Sequence, residues 1–452
     1  MVQAAFALIL MNDIQSFTPS SSFYTKRLDD PAAVYLETFA PKGDGIADDT
    51  QAIQKAINQV QEAGGEGIVF VPSGRYRLTE TLTVWPGVRI IGVGSTRPVF
   101  VLRDNTPGFD KIEKFMVFFA GGRPRGQEKA VPRTQEQNGL EFHEPNEANP
   151  GTFYSAVSNI DLEIGRGNDA AVGVRGRYAQ HCHLSHMDFR LQSGLAAIHD
   201  TGGFAEDLRI IGGEFGIITR TPSPGWQFTM MDSQFAGQKK AAIRTQATGL
   251  TLIGITFRDA PTAIAVEPEK SEQLWLQDSV MENISGPALL ISKEQSQRTQ
   301  INVQNLLCRD TPILAKFRES GRVIKGKGRL YRAASLTHGS LFKDQASDPV
   351  TATQSDIQEQ SSADIAQPIF ASPRLPVQES WVDVHSLGVK GDGETDDTEA
   401  IRRAVSQADA LYFPSGKYLI SDTISLNSQT SLIGLNPITT QIIVKDGTAA
   451  FR

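Results

Sequence analysis

The amino-acid sequence predicts an all-β solenoid: a right-handed parallel β-helix that is followed by the start of a second β-helix. Three observations carry this prediction: a module that occurs twice, a looser repeat of short strands between the two copies, and a change of composition before the second copy. They divide the chain into an N-terminal extension (1–30), a first β-helix domain with a capping helix (31–334), a linker (335–380) and an incomplete second β-helix module (381–452).

The module that occurs twice consists of three blocks in the same order. The matching segments are KGDGIADDTQAI (42–53) with KGDGETDDTEAI (390–401), VFVPSGRYRLTETLTV (69–84) with LYFPSGKYLISDTISL (411–426), and RIIGVG (89–94) with SLIGLN (431–436). The Gly-Asp-Gly segment is typical of a turn, and Asp48 or Asp49 can cap the helix that follows. We expect this helix to cover the open end of the solenoid, where strand edges are otherwise unpaired. Its apolar face recurs in both copies, as Ile53, Ala56, Ile57 and Val60 and as Ile401, Ala404, Val405 and Ala408.

The segment between the modules carries a looser repeat in which an apolar residue is followed seven positions later by Phe, Met or Cys. The pairs are Cys182/Phe189, Leu208/Phe215, Phe228/Phe235, Leu250/Phe257, Leu274/Met281 and Ile301/Cys308, and they begin 20–27 residues apart. Short strands at this period are typical of β-helix coils, and no helical pattern fits into the gaps. The two cysteines lie in the first and the last of these coils, so we expect core thiols and no disulfide.

Residues 335–380 have no periodicity and are dominated by Ser, Gln, Asp, Ala and Pro, which predicts an extended linker. The net charge of −7 gives no electrostatic reason to expect a nucleic acid partner, and no segment is long enough to span a bilayer. The cluster of His181, Cys182, His183 and His186 has no second Cys/His cluster to complete four ligands. We therefore predict no metal site and no cofactor.

The KGDGxxDDTxAI and VPSGxY blocks resemble the opening module of the pectate lyase superfamily, whose β-helix proteins act on polysaccharides. Two such modules joined by a linker look more specifically like the family 55 glycoside hydrolases, exo-acting β-1,3-glucanases built as twin β-helices. Residues 178–217 are similar to the first helix of that family, with an Ala-Gln pair before one coil and a small hydroxyl residue before Gly-Gly-Phe. The resemblance implies an inverting glycoside hydrolase, or its N-terminal portion, with a polysaccharide as partner.

By position, the resemblance implies that Gln180 and Thr201 hold the attacking water. Thr201 stands where the family usually has Ser, and the two residues are 21 apart, close to one coil, so they can lie side by side on adjacent coils. The alternative is that Gln180 joins an amide stack between coils and Thr201 is an ordinary turn residue. The sequence leaves these two interpretations open.

In the resembled family the general acid is a Glu of the second helix, and here that helix breaks off before such a Glu can be placed. We therefore expect little glucanase activity from this chain alone. Four carboxylates lie near the candidate site, and Asp200, beside Thr201, is the best placed to act in its stead; the others are Glu206, Asp207 and Glu214. The predicted substrate-binding residues are His183, His199, Tyr178 and Trp226.

Two other functions fit the same fold. A pectin-type lyase or hydrolase needs clustered Asp residues for calcium with an Arg or Lys base; Arg166, Arg175 and Arg177 are close together, but no such Asp cluster is evident. A β-helix that only binds glycans, as in a tail-spike assembly, needs no catalytic residue. A polysaccharide partner implies an extracellular or periplasmic location, although the apolar segment VQAAFALILM lacks the basic n-region of a clear signal peptide.

Overall fold

The computed structural model of the chain describes residues 21–122, 133–137, 140–144, 146–149, 151–220, 227–342, 348–361, 375–448 and 450. Only the backbone is described for 133–137, 140–144 and Thr201. The α-helices in these ranges are Thr50–Ala63 (α1) and Thr398–Gln407 (α2), and short 3-10 helices occur at Leu36–Phe39, Gln378–Ser380 and Val384–Leu387. None of the described helices is long and apolar enough to cross a membrane.

The first β-helix is built from three sheets, named A, B and C in the order in which each coil passes through them. Sheet A contains Val34–Tyr35, Gly67–Pro72, Val88–Val93, Ala156–Ser158, Phe228–Met231 and Leu250–Ile253. Sheet B contains Asp44–Asp48, Arg75–Arg77, Val99–Leu102, Asp161–Ile164, Gln234–Ala236 and Thr256–Ala260. Four long strands run through both sheets: His183–Leu191, Phe204–Gly212, Gln273–Ile284 and Gln300–Arg309.

Sheet C closes each coil. Its strands are Leu82–Val84, Lys114–Phe119, Ala171–Gly176, Ala196–Thr201, Phe215–Ile218, Ala241–Thr245, Ile264–Val266, Pro287–Ile291, Ile313–Phe317 and Val323–Lys325. Neighbouring strands are parallel except for the last pair. The strands Arg133–Gln137 and Leu140–Glu144 form a separate antiparallel pair. The predicted parallel β-helix is therefore confirmed.

From Asn159 onward, the bend between sheets A and B is made by one residue per coil in the left-handed backbone region. These residues follow one another along the helix: Asn159, His186, Asp207, Asp232, Gly254, Asp278 and Asn305. Asn, Asp and Gly tolerate this conformation better than other residues, because their side chains are absent or bond to the local backbone. In these coils the bend turns the strand of sheet A into sheet B without a loop, whereas five residues connect Val88–Val93 to Val99–Leu102.

A continuous row of apolar side chains from sheet B fills the interior. The residues that stack on one another are Phe100, Leu162, Phe189, Ile210, Phe235, Phe257, Met281 and Cys308, all fully buried. Five of the six predicted pairs thus lie in register. The pair Leu208/Phe215 is wrong, because Gly203 and Ile210 occupy those positions of the coil and Phe215 lies in sheet C beside Ala196. Both cysteines are buried and unbridged, as expected.

The two copies of the opening module share the same hydrogen bonds, which accounts for the similarity of their sequences. Asp49 accepts from the backbone N–H groups of Lys42 and Gly43 at 2.7 and 3.0 Å, and Asp397 accepts from the same two positions of the second copy at 2.7 and 2.9 Å. The preceding Asp of each copy accepts from the backbone N–H of the Thr that begins the helix. The predicted apolar face of α1 is buried, and so is that of α2 apart from the partly buried Ala408.

Part of the predicted linker forms strands. Leu330–Leu341 runs antiparallel to Gln300–Arg309 and so covers the last coil, where sheets A and B would otherwise present an unpaired edge. Val350–Glu359 in turn pairs antiparallel with Leu330–Leu341. The prediction missed them because Ser, Thr and Gln occupy their exposed positions. The residues of the first strand that are buried are Tyr331, Ala333, Leu336 and His338. Their alternation with exposed residues can be recognised only when the inward face of the strand is known.

The second module packs against the outer face of sheet A. Its parallel strands are Val382–Asp383, Ala410–Tyr412 and Ser431–Ile433 in one sheet and Asp392–Asp396, Gly416–Ile420 and Thr440–Val444 in another. A shared apolar cluster joins the two modules; it consists of Tyr24, Ile68, Phe70, Ile91, Val93, Ala410, Tyr412, Ile433 and Leu435. The Asn436 amide also donates to the carbonyl oxygens of Gly67 and Gly87 at 3.2 and 3.3 Å.

Candidate functional site

The turn from sheet C into sheet A brings the backbones of Gln180 and Thr201 onto adjacent coils. Thr201 is level with Gly176, and the N–H of Gly202 donates to the carbonyl of Gly176 at 3.1 Å. A Cβ on Gly202 would lie 2.3 Å from the carbonyl oxygen of Tyr178. The close approach of the two coils therefore depends on a glycine at position 202.

The side chain of Gln180 has an unusual environment. Its Oε1 atom is buried and accepts no hydrogen bond from any described residue. A buried amide oxygen without a donor costs free energy, which a water or a ligand hydroxyl would recover. The side chain of Thr201 and all of Trp226 lie outside the described part of the chain.

Tyr178 does not lie where a sugar can reach it. Its side chain is 2% exposed, and its ring meets the ring of Phe119 edge-on with centroids 4.8 Å apart. Both residues belong to the main hydrophobic core. The prediction that Tyr178 binds substrate is therefore wrong, because the side chain turns inward after the end of its strand.

A buried charge cluster lies at the end of the neighbouring strands of sheet C. Arg175 pairs with Asp200 at 3.0 Å and with Glu147, and its guanidinium lies over the ring of Phe115 at 5.6 Å. Burial alone would raise the pKa of the Asp200 carboxyl, but Arg175, His199 and the backbone N–H of Arg220 outweigh it and hold that pKa below its ordinary value. Asp200 is therefore ionised, which contradicts its predicted use as the general acid.

His199 belongs to the same cluster. Arg220 Nε donates to His199 Nε2 at 3.3 Å, so this nitrogen carries no proton and Nδ1–H must donate to Glu113. The pKa of Glu113 lies below its ordinary value, because the hydrogen bond from His199 and the charges of Arg175 and Arg220 together exceed the effect of burial. The His199 side chain is 2% exposed, so it positions its neighbours and does not present a free nitrogen to a substrate.

The outer face of sheet A carries one of the four candidate carboxyl groups, Glu206, whose pKa is raised above its ordinary value. Glu206 is level with Ser185, and both point away from the core, since Leu184 and Ala205 face inward. Burial and the charges of Asp207 and Asp232 raise the pKa of Glu206, although His186 opposes them. Raised carboxyl pKa values are characteristic of general acids.

A row of polar and aromatic side chains runs along this face. His183, Phe204, Thr229, Thr251 and Trp275 are level with one another on successive coils and are partly exposed. Sequence reasoning identified His183 but missed Trp275, whose outward position could have been read from the alternation in Gln273–Ile284. We call these five residues with Glu206 the A face.

The A face begins where the second module docks. Arg89, level with His183 through Ala156, donates to the carbonyl of Leu435 at 2.7 Å and to that of His181 at 3.4 Å. Burial, Arg89 and His186 together lower the pKa of His183 to about 3, so this imidazole is neutral. It can accept or donate one hydrogen bond to a sugar hydroxyl.

The other candidate carboxylates are already paired. Asp207 bonds to the Nδ1 of His186 at 2.8 Å, and Glu214 pairs with Lys239 and Lys240 at 3.4 and 3.0 Å. Within the described ranges, His, Cys, Asp and Glu side chains form no group of three or more that could hold a metal ion.

A profile of the family described as "Rhamnogalacturonase A/epimerase, pectate lyase-like" matches residues 34–265 and 381–450, more than half of the chain. The chain belongs to this family. The match spans both copies of the doubled module and confirms the resemblance to the pectate lyase superfamily. The narrower resemblance to the twin-helix glucanases stays a prediction.

Known proteins resemble this pectate-lyase-like chain over most of its length. It is 24% identical over 450 residues to the non-secreted LysM effector LysM19 of Penicillium expansum, covering 88% of this chain and 33% of that protein. It is 22% identical over 430 residues to a glucan 1,3-beta-glucosidase of Cochliobolus carbonum, covering 88% and 52%. The chain thus spans a third to about half of the length of these relatives.

Among solved structures, the catalytic unit of a GH87 alpha-1,3-glucanase from Streptomyces thermodiastaticus aligns with a TM-score of 0.42 and 14% identity. The alignment covers 67% of this chain and 58% of that one.

Proposed function

We propose that this protein is a glycoside hydrolase that acts on a β-1,3-glucan-type polysaccharide by inversion, with the sugar chain bound along the A face. One observation carries the proposal: within a single coil, Asp200 has a lowered carboxyl pKa and Glu206 a raised one. Carboxyl groups whose environments separate their pKa values in this way are the usual acid and base of glycoside hydrolysis.

The roles follow from these environments. Glu206 protonates the glycosidic oxygen as the bond to the anomeric carbon breaks. Gln180, whose Oε1 has no donor in the described residues, and Thr201 orient the water that attacks from the opposite face. Asp200, next to Thr201 and kept ionised by Arg175, takes the proton that the water loses. The similarity to the Cochliobolus carbonum glucosidase supports β-glucan as substrate.

The assay measures glucose released from laminarin by the present chain. If Glu206 is the acid, the chain releases glucose and Glu206→Gln lowers the rate about 10²- to 10⁴-fold, the usual contribution of a general acid. If the acid belongs to the second helix, as the resemblance implies, the present chain binds laminarin oligosaccharides and releases nothing. The matched control is Glu214→Gln, because Glu214 is paired with lysines away from the A face.

Two further measurements distinguish the alternative functions. Unsaturated uronate product from polygalacturonate would replace the hydrolase proposal with lyase chemistry. Laminarin binding without product from the full-length protein would indicate a glycan-binding β-helix. We also propose an extracellular or periplasmic location, which fractionation of the source cells tests.

A further inference from the structure

A long groove lies on the outer face of sheet B, where its strands turn towards sheet C. Its volume is about 1080 Å³, and its lining residues come from six successive coils, beginning at Arg75 and ending at Lys239. At roughly 4.8 Å per coil, the groove is about 24 Å long. Sites for drug-sized ligands have roughly 300–1,000 Å³, so this groove fits an extended polymer better than a small molecule.

The groove has an excess of positive charge on a chain whose net charge is −7. Its cationic lining residues are Arg75, Arg77, Arg103, Arg166, Arg190 and Lys239, and its acidic ones are Asp104 and Glu163. Glu163 is already shared between Arg75 and Arg190, the latter at 3.1 Å. Arg190 also pairs with Asp161 and Asp188, and Lys239 pairs with Glu214, so the excess positive charge of the groove lies on the remaining arginines.

Three of the guanidinium groups form no ion pair with a described residue, although the charge of Arg77 helps to lower the pKa of the Asp48 carboxyl on the neighbouring strand. Arg77 donates to the carbonyl of Ile46 at 3.0 Å, Arg166 donates to the neutral amide of Gln192 at 3.0 Å, and Arg103 is exposed. Among the described residues none of the three forms an ion pair. They come from three neighbouring coils, so their spacing follows the coil repeat.

The floor of the groove is formed by apolar residues and glycines. Val101 and Ile211 supply apolar floor on the outward row of sheet B, and glycines stand at positions 165, 212 and 237. A Cβ at Gly212 would lie 2.2 Å from the carbonyl of Leu191, whereas a Cβ at Gly237 would meet only one backbone atom, at 4.0 Å. The absence of side chains lets a chain of rings approach the backbone.

The groove is separate from the A face. Within one coil, Glu206 lies on sheet A and Ile211 on sheet B, with the left-handed bend at Asp207 between them. A polymer bound in the groove therefore leaves the A face open.

We propose that this groove binds a segment of an acidic polysaccharide, and that Arg77, Arg103 and Arg166 pair with its anionic groups. Guanidinium groups bind carboxylates and sulfates in a bidentate manner, and unpaired arginines at coil spacing can contact successive sugars of an extended chain. The groove adds a binding site to the proposed function and does not depend on it, because a β-1,3-glucan has no charge to place there.

The test compares the unaltered chain with the triple variant Arg77→Gln, Arg103→Gln, Arg166→Gln. Binding of polygalacturonate, dextran sulfate and laminarin oligosaccharides is measured by calorimetry at low and at high salt. The matched control is Arg258→Gln with Arg309→Gln: both lie further along the outward row of sheet B, outside the groove, and both are paired with Glu282.

We expect the triple variant to bind the acidic polymer at least tenfold more weakly, and added salt to weaken binding by the unaltered chain. The control pair and laminarin binding should be unchanged. Binding of polygalacturonate but not dextran sulfate identifies carboxylate as the ligand group, and the reverse identifies sulfate. Equal binding by the triple variant, or no binding of either acidic polymer, overturns the proposal. Arg103→Glu alone, at an exposed position, gives the same answer should the triple variant fold poorly.

Discussion

Asp30 and Ser415 lie 385 residues apart in the sequence and meet in the interface between the two modules. The Oδ2 atom of Asp30 accepts from the backbone N–H of Ser415 at 2.9 Å and from its hydroxyl at 3.1 Å, and the Tyr412 hydroxyl donates to the same oxygen at 3.3 Å. Asp30 is only 5% exposed. One carboxylate of the N-terminal segment thus holds the start of the second module against the first.

Replacing Asp30 with Ala should loosen the second module without unfolding the first. The change leaves buried donors on Ser415 and Tyr412 without an acceptor, which costs about 1–3 kcal/mol. Hydrogen exchange followed by mass spectrometry should show lost protection in residues 375–448 and unchanged protection in the coils. Asp29→Ala, whose side chain is 94% exposed, is the control, and equal effects of the two changes would exclude this role for Asp30.

Replacing Glu206 with Gln should stabilise the protein at neutral pH while it lowers activity. The folded-state pKa of Glu206 is raised, so its contribution to stability is full below the ordinary value of 4.5 and is lost as the pH rises through the folded-state pKa. A Gln avoids that loss. Urea unfolding should show the variant to be more stable at pH 7 and to converge with the parent below pH 4.5; the reverse order at pH 7 would contradict the raised pKa.

Removing Arg175 should be severely destabilising. It removes the paired cation of the buried Asp200 and leaves Glu147 with Arg177 alone, at 3.6 Å, and breaking a buried pair costs about 3–5 kcal/mol. Arg175→Met with Asp200→Asn should recover part of this loss, since one uncompensated charge is removed. Chemical unfolding of both variants measures the difference, with Arg329→Ala as control, because the Arg329 side chain is 87% exposed and pairs with Asp310 outside this cluster. No recovery in the double variant would mean that packing on Phe115 dominates.

Gly202→Ala should push apart the two coils that carry Gln180 and Thr201. The added methyl would lie 2.3 Å from a backbone carbonyl, and such overpacking costs about 1–3 kcal/mol. Gly122→Ala, where a Cβ meets nothing within 4 Å, should change the unfolding free energy by less than about 0.5 kcal/mol. Similar melting temperatures for the two variants would show that the coil spacing is not fixed by Gly202.

Gln180→Ala separates the two interpretations of this residue. If Gln180 orients the water, the variant loses laminarin hydrolysis and keeps its stability, because the Oε1 atom has no donor to lose among the described residues. If it belongs to an amide stack between coils, the unfolding free energy falls by about 1 kcal/mol. Thermal unfolding and glucose release from the same preparation decide the question.

The fold could be predicted from the sequence where the determining contacts are local. Asp49 binds the backbone of Lys42 and Gly43 only a few residues away, so the motif carries its own structure and recurs intact in the second copy. The interior row of Phe, Met and Cys could also be predicted from the sequence. The prediction of this row failed at the coil that contains Gly203 and Ile210, because this pair does not match the pattern of an apolar residue followed by Phe, Met or Cys.

The site was less predictable, because stacking brings together residues from different coils. The register of sheet C places Arg175 beside His199, and Glu113 and Glu147 reach this cluster from segments outside the strands. No spacing in the sequence specifies these contacts. The inward direction of Tyr178 had the same cause: after the end of a strand, alternation no longer indicates which face a side chain takes.

The antiparallel strands Leu330–Leu341 and Val350–Glu359 have a consequence for how this protein can change in size. A further coil needs a strand that runs with its predecessor, and the chain after Arg309 runs against it. The first helix therefore cannot lengthen at this end, and duplicated coils would be accepted only upstream, within the uniform stretch from Leu250 to Arg309. The reversal therefore fixes the number of coils that follow the A face.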